Sequence, residues 1–448
     1  MSVRRMSKRV KSELVRSLST MSPRRRNHED YEEEEYEGRN RNDMDERRKG
    51  AFNFKIFMKK KEEPKLLHIL ITGGSGHIAA HLVDAFAQQV REEVRREAMS
   101  KIESDIPKFR QSHRKESVAN VRKSWVSSRL EAEVTKLMHS RLQITLVDII
   151  EPDYGLIRPY TSHVKASFTD EYIMKSVLKH VDTVIHLAAV GMTGHYAHDR
   201  KACMDINATG TMNLLSWAKS SGVKRFIYTS SIGVIFNGKP LKNVNEIVTY
   251  PESFYNFYCE SKAQAEQIVV KASTCDLRTV VLRFNGIYGP GEKRVTERVV
   301  DFMISGWWIG MCKPNGKEAQ TQLSSVANCV QGILKAEKAM RGLDSLHGQI
   351  YNIMDKEPAG TFTFWQPLND GLGFARKMIN IPVWVIRPMA WLSQWIANTL
   401  KVDPIVSLLE VDLLLNDTTF DLKKSRNDRY VSRNSCRTSC REEENLGV

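Results

Sequence analysis

The sequence predicts an α/β protein in which a doubly wound parallel sheet carries helices on both faces and is followed by a smaller C-terminal lobe. Between Leu66 and about Gly291, short continuous apolar runs alternate with stretches whose apolar residues recur at helical spacing. Short apolar runs bounded by turn residues are typical of strands buried on both faces, as in a parallel sheet. Beyond Gly291 the alternation is less regular, so we expect most of residues 292–425 to form the smaller lobe.

The two ends of the chain differ in composition from the rest. Residues 1–62 are rich in Arg, Ser and Glu and include the acidic run EDYEEEEYE, and residues 426–448 are also polar. Such segments bury too little apolar surface to offset the entropy lost on ordering. We therefore expect both ends to be disordered and the folded domain to occupy residues 63–425. Much of the net charge of +14 lies in segments outside this core, so we expect no nucleic-acid partner.

The stretch 91–141 interrupts the alternation of strands and helices. It is rich in Lys, Arg and Glu, has no strand-like run, and spaces its few apolar residues, such as Val94, Trp125 and Leu130, thinly. We interpret it as an insertion of amphipathic helices exposed to solvent. An arm that binds a partner or an acidic surface is the alternative.

Each remaining strand of the sheet is predicted by one apolar run. The first run, Leu66–Ile71, ends at glycines, and the second, LQITLVDII, follows the insertion. The strand DTVIHLAAV precedes the helix NATGTMNLLSWAKSSG, the strand RFIYTSS precedes YCESKAQAEQIVVKAS, and RTVVLRFNGIYG comes last. Crossovers of this kind place consecutive strands parallel to one another in one sheet.

The turn after the first strand is rich in glycine, with the sequence TGGSGHIA from Thr72 to Ala79. Glycine is required where a chain turns tightly and where its backbone approaches a pyrophosphate. The helix that follows directs free N–H groups and the positive end of its dipole at the phosphates. Ala79 takes the place of a third glycine that would allow close helix packing, and its methyl group is either tolerated there or widens the spacing between helix and strand. We predict a dinucleotide site formed by Gly73, Gly74, Ser75, Gly76, His77 and Ile78.

Asp148 ends the second predicted strand. A carboxylate at this position accepts hydrogen bonds from the adenosine ribose and repels a 2′-phosphate, which favours NAD over NADP as cofactor. The insertion separates Asp148 from Gly73 by far more than the usual interval of about 20 residues, without moving the end of the strand. An aspartate that caps a following turn is the alternative interpretation.

Tyr258 and Lys262 open a predicted helix and share one face, because they are four residues apart. A phenol is too weak an acid to act as a base at neutral pH, but a neighbouring ammonium stabilises the phenolate. We therefore expect Lys262 to lower the pKa of Tyr258, which then exchanges a proton with an alcohol while a hydride passes to or from nicotinamide. Ser231 ends the strand RFIYTSS, and its hydroxyl is expected to bond the reacting oxygen. A surface Tyr and Lys pair is the alternative.

These motifs resemble those of the 3β-hydroxysteroid dehydrogenase/isomerase family, a branch of the extended short-chain dehydrogenases. The resemblance runs from about Leu67 to Gly373 outside the insertion and includes TGGSGHIA, VIHLAA, INATGTMNLL, VKRFIYTSS, YCESK and LRFNGIYGPGEKR. The stretches HGQIYNIMDKEP and FTFWQPLNDGLG are more specific to the steroid branch than to nucleotide-sugar epimerases. The resemblance implies a Rossmann-type, NAD-dependent enzyme that interconverts a 3β-hydroxyl and a 3-keto group on a steroid or sterol-like substrate.

The resemblance also implies roles for individual residues. Ser231, Tyr258 and Lys262 form the catalytic triad, and Lys262 also holds the nicotinamide ribose. Asn207 supports a water molecule or a strand near the site, and Ala188 and Ala189 border the cofactor.

Three residues depart from the family pattern. Ala166 and Ser167 replace a Gly-Asp pair that contacts adenine, so Ser167 is expected to make a weaker contact, and Phe284 replaces a proline. Ser167 and Ala79 keep open a third interpretation, a dinucleotide-binding scaffold that has lost catalysis, although the intact Ser231, Tyr258 and Lys262 argue against it. The second interpretation is a nucleotide-sugar epimerase or reductase. The basic contacts that a diphosphate substrate requires are not evident in the C-terminal lobe.

The stretch 379–400 combines Trp384, Trp391 and Trp395 with many aliphatic residues, but it also contains Arg387 and two prolines. A membrane-spanning helix needs about 20 mostly apolar residues, so we expect an element at the membrane surface. A buried helix of the smaller lobe is the alternative.

The cysteines and the N-terminal residues indicate the cellular compartment in which the protein is expected. The seven cysteines show no metal-ligand spacing, and the N-terminal residues lack the apolar segment of a secretory signal. We expect an intracellular protein without a metal site, on the cytoplasmic side of the endoplasmic reticulum or another membrane. No feature of the sequence specifies an oligomeric state.

Overall fold

The largest sheet is parallel and contains seven of the strands in the described residues. The computed structural model describes residues 66–427, except for 113–117, 153–157, 191–198, 307–308, 314–315, 343–346, 374–377, 401–403 and 405. The strands are β1 (Leu67–Thr72), β2 (Leu142–Asp148), β3 (Thr161–Lys165), β4 (Thr183–His186), β5 (Arg225–Ser231), β6 (Leu241–Val244), β7 (Arg278–Phe284), β8 (Ile287–Tyr288), β9 (Ile309–Cys312), β10 (Gln320–Thr321), β11 (Ser324–Ser325), β12 (Gln349–Asn352), β13 (Ala359–Gly360), β14 (Ile379–Pro382) and β15 (Thr418–Phe420).

Helices connect these strands. The helices are α1 (His77–Ser112), α2 (Val118–Arg141), α3 (Glu171–Val177), α4 (Arg200–Cys203), α5 (Thr211–Ser220), α6 (Phe257–Lys271), α7 (Arg294–Ser305), α8 (Val326–Arg341), α9 (Gln366–Gly371), α10 (Val383–Leu400), α11 (Leu408–Leu415) and α12 (Lys423–Asn427). A π-helical segment, Met204–Gly210, joins α4 to α5.

The main sheet has the strand order β12-β7-β5-β4-β1-β2-β3, and its neighbouring strands are parallel. Helices α1 and α8 contribute to the apolar core on one face, while α3, α5 and α6 contribute to the core on the other. The order of the strands reverses between β1 and β4, which is where dinucleotides bind in such sheets. The doubly wound fold predicted from the sequence is confirmed.

The insertion extends the first helix of the sheet domain. α1 continues without a break from the glycine-rich turn to Ser112, and α2 returns against it. Apolar residues four positions apart are buried along both helices, and Arg141 donates to Glu97 at 2.8 Å across the pair. The predicted helices are therefore present, but their apolar residues form a buried seam that continues the core. The seam comprises Val94, Ala98 and Ile102 of α1 and Leu130, Val134 and Met138 of α2.

The smaller lobe is assembled from separated parts of the chain. Its largest sheet has the order β13-β10-β15-β6, with β6 coming from before residue 292, and α10 and α11 contribute to its apolar core. Conversely, α8 and β12 lie within 292–425 but complete the main sheet domain. Most of the two ends predicted to be disordered, 1–62 and 426–448, lie outside the described residues, which end with α12 at Asn427.

Candidate active site

The glycine-rich turn links β1 tightly to the neighbouring strands. The N–H groups of Gly73 and Gly74 donate to the carbonyl of Val147 at 2.9 and 3.2 Å, and Gly76 donates to Gly73 at 3.0 Å. Gly73 has a φ of +72°, a conformation that a residue with a side chain rarely adopts. The turn therefore depends on glycine for its backbone geometry.

The same turn leaves no room for side chains. A Cβ atom on Gly73 would lie 2.9 Å from the Ala188 nitrogen, and one on Gly74 would lie 2.7 Å from the Cβ of Leu146. The turn ends at the N-terminus of α1, where unpaired N–H groups bind phosphate oxygens. This cradle fits a dinucleotide. Ala79, in the place of a third glycine, is fully buried in the core beside the sheet.

Asp148 lies beside the glycine-rich turn and is bonded to it. Its carboxylate accepts the N–H of Ser75 at 3.0 Å and that of Ile150 at 3.2 Å. Each oxygen accepts one of these bonds, which leaves further lone pairs for ribose hydroxyls. The turn-capping interpretation and the ribose-binding interpretation are thus both compatible with its position.

The other predicted cofactor contacts lie on the same edge of the sheet. Ser167 follows β3, and its hydroxyl is 2.7 Å from that of Thr169. Ala188 and Ala189 follow β4, and the close approach of Ala188 to Gly73 places this segment against the dinucleotide cradle. The predicted roles of these residues stay predictions.

Tyr258 and Lys262 lie in the first turns of α6, which begins after Asn256. The Asn256 side chain accepts the N–H of Cys259 at 2.9 Å and so caps the helix. Tyr258 and Lys262 are both buried. The Lys262 ammonium donates to the Thr229 carbonyl at 2.7 Å and lies 4.1 Å from the centre of the Tyr228 ring.

Ser231 meets Tyr258 at the end of β5. Its hydroxyl accepts the N–H of Gly233 at 3.2 Å and lies close enough to the Tyr258 phenol to lower the pKa of that group. A Cβ on Gly233 would lie 3.1 Å from the Cys259 sulfur and 4.0 Å from the Tyr258 ring, so a side chain here would require the sulfur to shift slightly. The structure thus brings together the serine, the tyrosine and the lysine that the sequence predicted.

The expected ionisation of Tyr258 is wrong for the protein described here. Burial raises the pKa of Tyr258, the neighbouring Cys259 thiol raises it further, and the hydrogen bond with Ser231 only partly offsets them. Burial also lowers the pKa of Lys262 to about 7, against an opposing effect of Glu266. The lysine is itself desolvated, so it is a weaker source of positive charge than an exposed ammonium.

Asn207 braces the site from the π-helical segment. Its side-chain oxygen accepts the Val190 N–H at 2.8 Å, and its amide donates to the Ser261 hydroxyl at 3.0 Å. Ser261 in turn donates to the carbonyl of Tyr258 at 2.9 Å. Asn207 therefore connects the segment after β4 with α6, the helix that carries Tyr258 and Lys262.

A buried histidine beside the site was missed by the sequence analysis. The Nδ1 atom of His186 lies 2.6 Å from the Thr72 hydroxyl, and its Nε2 atom lies 3.0 Å from the Thr211 hydroxyl. Thr211 donates its own proton to the Asn207 carbonyl at 2.6 Å, so Nε2 is the donor. Burial, and to a smaller extent Lys262, lowers the pKa of His186 to about 3, so it is neutral. The sequence did contain a signal for this residue, because His186 is a polar residue within the apolar run DTVIHLAAV.

A buried ion pair behind Lys262 was also missed. Glu266 lies one turn after Lys262 on α6 and pairs with Arg283 of β7, and both side chains are almost completely buried. The Tyr250 hydroxyl donates to Glu266 at 2.8 Å. The signal in the sequence was Arg283, because a charged residue inside the apolar run RTVVLRF needs a buried partner of opposite charge.

Known proteins share this architecture. A UDP-glucose 4-epimerase from Thermotoga maritima, solved with UDP-glucose, superimposes with a TM-score of 0.57 at 16% identity, covering 85% of this chain and 99% of that one. A UDP-glucuronic acid 4-epimerase from Bacillus cereus, solved with NAD, gives a TM-score of 0.54 at 16% identity, over 84% and 96% of the two chains. At this identity the likeness concerns the fold alone.

Sequence comparison is more specific. The family model described as the 3-beta hydroxysteroid dehydrogenase/isomerase family matches residues 153–383. A Caenorhabditis elegans protein named 3beta-hydroxysteroid dehydrogenase/Delta(5)-Delta(4) isomerase 1 is 52% identical over 428 residues, covering 96% of this chain and 84% of that protein. The match extends over both lobes and the site, and the chain belongs to the 3-beta hydroxysteroid dehydrogenase/isomerase family.

Proposed function

We propose that this chain is a nicotinamide-dependent 3β-hydroxysteroid dehydrogenase that uses Ser231, Tyr258 and Lys262. The observation that carries the proposal is the position of Ser231, which ends β5 beside the buried Tyr258, while buried Lys262 follows Tyr258 by one turn of α6. This group is at the carboxyl edge of the sheet, next to the glycine cradle, in a member of a family of steroid dehydrogenases.

The residues divide the chemistry among them. A bound nicotinamide dinucleotide supplies the hydride acceptor or donor. Ser231 orients the substrate oxygen through its hydroxyl, and Tyr258 takes or gives the proton of that oxygen. Lys262 binds the ribose, and Asn207 holds the two segments that flank the site.

Steroid turnover tests this function. The full-length protein is incubated with NAD and a panel of 3β-hydroxysteroids, and formation of NADH and of the 3-keto product is measured. A product with a conjugated ketone shows that double-bond isomerisation accompanies oxidation. NADH binding without turnover of any steroid would favour the scaffold interpretation, and turnover of a UDP-sugar instead would favour an epimerase.

We propose that the cofactor is NAD rather than NADP. The Asp148 carboxylate at the end of β2 would face a 2′-phosphate with like charge at the edge of the cofactor cradle. Replacing Asp148 with Asn is expected to improve the ratio of kcat/KM for NADP to that for NAD by about tenfold, equivalent to ~1.4 kcal/mol. Ser167→Ala, which removes no charge, is the matched control and leaves the ratio nearly unchanged. An unaltered ratio in Asp148→Asn contradicts this role.

We also propose that α10 rests on a membrane surface. The side chains of Trp384, Trp391 and Trp395 are 78%, 59% and 57% exposed, while Arg387 on the same helix is bonded to Asp412 of the lobe. Tryptophans in this setting insert at the level of lipid headgroups, and a steroid partitions into the same layer. Within the described residues, no helix combines the length and apolar character needed to cross a bilayer.

Vesicle binding tests the membrane contact. Replacing Trp384, Trp391 and Trp395 together with Ser is expected to abolish sedimentation of the protein with phosphatidylcholine vesicles that contain phosphatidylserine. Tyr172→Ser removes an equally exposed aromatic residue from α3 and serves as the control. Equal sedimentation of the wild-type protein and the triple variant contradicts the proposal.

A further inference from the structure

Two histidines at the start of α1 bind the same carbonyl group. The Nε2 atoms of His77 and His81 each lie 2.8 Å from the carbonyl oxygen of Pro290. The two rings are 5.1 Å apart at an interplanar angle of 82°. A carbonyl oxygen only accepts hydrogen bonds, so each Nε2 atom carries a proton and donates to one of the two lone pairs. His77, His81 and Pro290 thus form a clasp between α1 and the segment that follows β8.

Stability alone does not account for the clasp. Pro290 is exposed, so water would satisfy its carbonyl if the histidines were absent, and a hydrogen bond that replaces one to water contributes little net free energy. His77 is half-buried, and burial lowers the pKa of its imidazole, which favours the neutral ring. What two converging donors add is a fixed position for the carbonyl relative to α1.

The turn that carries Pro290 depends on the glycines on both sides of it. Gly289 and Gly291 have φ values of +131° and +80°, which residues with side chains rarely adopt. A Cβ atom on Gly289 would lie 2.7 Å from the Cγ1 atom of Val326. The N–H of Glu292 donates to the Gly289 carbonyl at 3.1 Å and closes the turn. The backbone therefore presents the Pro290 carbonyl to α1 from a defined turn.

The same turn leads directly into α7. The Glu292 carboxylate accepts the N–H groups of the first three residues of α7 at 2.8 to 3.1 Å. Further along α7, Arg298 donates to Glu410 of α11 at 2.8 Å. The clasp therefore connects the start of α1 with a helix that is bonded to the smaller lobe.

At its other end the clasp holds the cofactor cradle. His77 directly follows Gly76 and is the first residue of α1, whose first N–H groups are available to phosphate oxygens. We propose that His77 and His81 are positioning residues for the dinucleotide, because they tie the first turn of α1 to the Pro290 turn and hold the cradle in its binding geometry before the cofactor arrives. A site that is already ordered binds more tightly, since less conformational freedom is lost on binding.

The clasp also links cofactor binding to α7. An intact clasp that favours the cofactor must itself be stabilised by the cofactor to the same extent, because coupling between two equilibria is reciprocal. Bound NADH should therefore slow amide hydrogen exchange in residues 289–296, which include the turn and the start of α7. The proposal rests on the dehydrogenase function proposed above.

Removal and replacement of the two donors test the proposal. The double variant His77→Leu/His81→Leu is expected to raise the Kd for NADH about tenfold, equivalent to ~1.4 kcal/mol, with faster NADH dissociation. Its single-turnover rate of steroid oxidation at saturating NAD should stay unchanged, because the clasp contains none of the proposed catalytic residues. The double variant His77→Gln/His81→Gln keeps an amide donor at each position and should restore a Kd close to that of the wild-type protein. Leu and Gln have similar helix propensities, so the comparison isolates the hydrogen bonds.

Hydrogen exchange gives a second measurement that requires no turnover. NADH should slow exchange in residues 289–296 of the wild-type protein and of the Gln variant, and have little effect there in the Leu variant. A Leu variant that binds NADH as tightly as the wild-type protein overturns the proposal, and so does a Gln variant that binds as weakly as the Leu variant. Failure of the proposed function alone is distinct, since NADH would then bind in a histidine-dependent manner while no steroid is oxidised. A wild-type protein that binds no NADH overturns both.

Discussion

Tyr258→Phe is expected to lower kcat for steroid oxidation by about 10²–10⁴-fold, with little change in the affinity for NADH. The substitution removes only the hydroxyl, which lies beside Ser231, and keeps the buried ring in place. The loss should therefore fall on kcat and on kcat/KM alike, as for a group that acts in the transition state. Single-turnover measurements of NADH formation, with fluorescence titration of NADH, check both parts.

Tyr255→Phe provides the matched control for this variant. Tyr255 lies three residues before Tyr258, and its hydroxyl donates to Asp412 at 2.7 Å, away from Ser231. We expect this control to retain nearly all of its kcat. Turnover that survives in Tyr258→Phe would remove Tyr258 from the mechanism.

Arg283→Met is expected to lower the free energy of unfolding by about 3–5 kcal/mol, because Glu266 is left as an uncompensated buried charge. Both partners are almost completely buried, and the pair is reinforced by the hydroxyl of Tyr250. The double variant Arg283→Met/Glu266→Leu should regain most of the lost free energy of unfolding, because it buries two apolar side chains and no charge. Unfolding in denaturant, followed by fluorescence and circular dichroism, measures the three proteins.

A surface pair gives the comparison for this prediction. Arg200 bonds Glu260 at 2.9 Å, and its side chain is 60% exposed. Arg200→Met should change the free energy of unfolding by about 0–1 kcal/mol. If Arg283→Met were no more costly than Arg200→Met, the buried pair would contribute little to stability.

The features that the sequence predicted are those coded by neighbouring residues. β1 is six residues, apolar except for His68 and Thr72, followed directly by its glycine turn, and the spacing of Tyr258 and Lys262 fixes their common helix face. Ser231 and Asp148 were found because parallel strands bring their carboxyl ends to one edge. Local pattern and chain direction were sufficient for these residues.

Features that depend on distant residues were not predicted. Nothing near Asn352 indicates that it joins the main sheet beside Arg283, almost 70 residues earlier in the chain. The apolar residues of the insertion looked sparse because each helix supplies only half of the seam, as Val94 and Val134 illustrate. The pKa of Tyr258 depends on how far the fold buries its side chain, and the spacing of neighbouring residues carries no information about that burial.

The π-helical segment between α4 and α5 has a consequence for the geometry of the whole connection. A π turn accommodates one more residue than an α turn, which offsets the angular phase of the following helix by about 100°. Within the π-helical segment, Asn207 projects toward α6; after it, Leu214 and Ala218 project into the core of the sheet domain. A regular α-helix would place Asn207 on the same face as Leu214 and Ala218. The extra residue of the π turn therefore lets one continuous helical connection direct Asn207 toward α6 and the two apolar residues into the core.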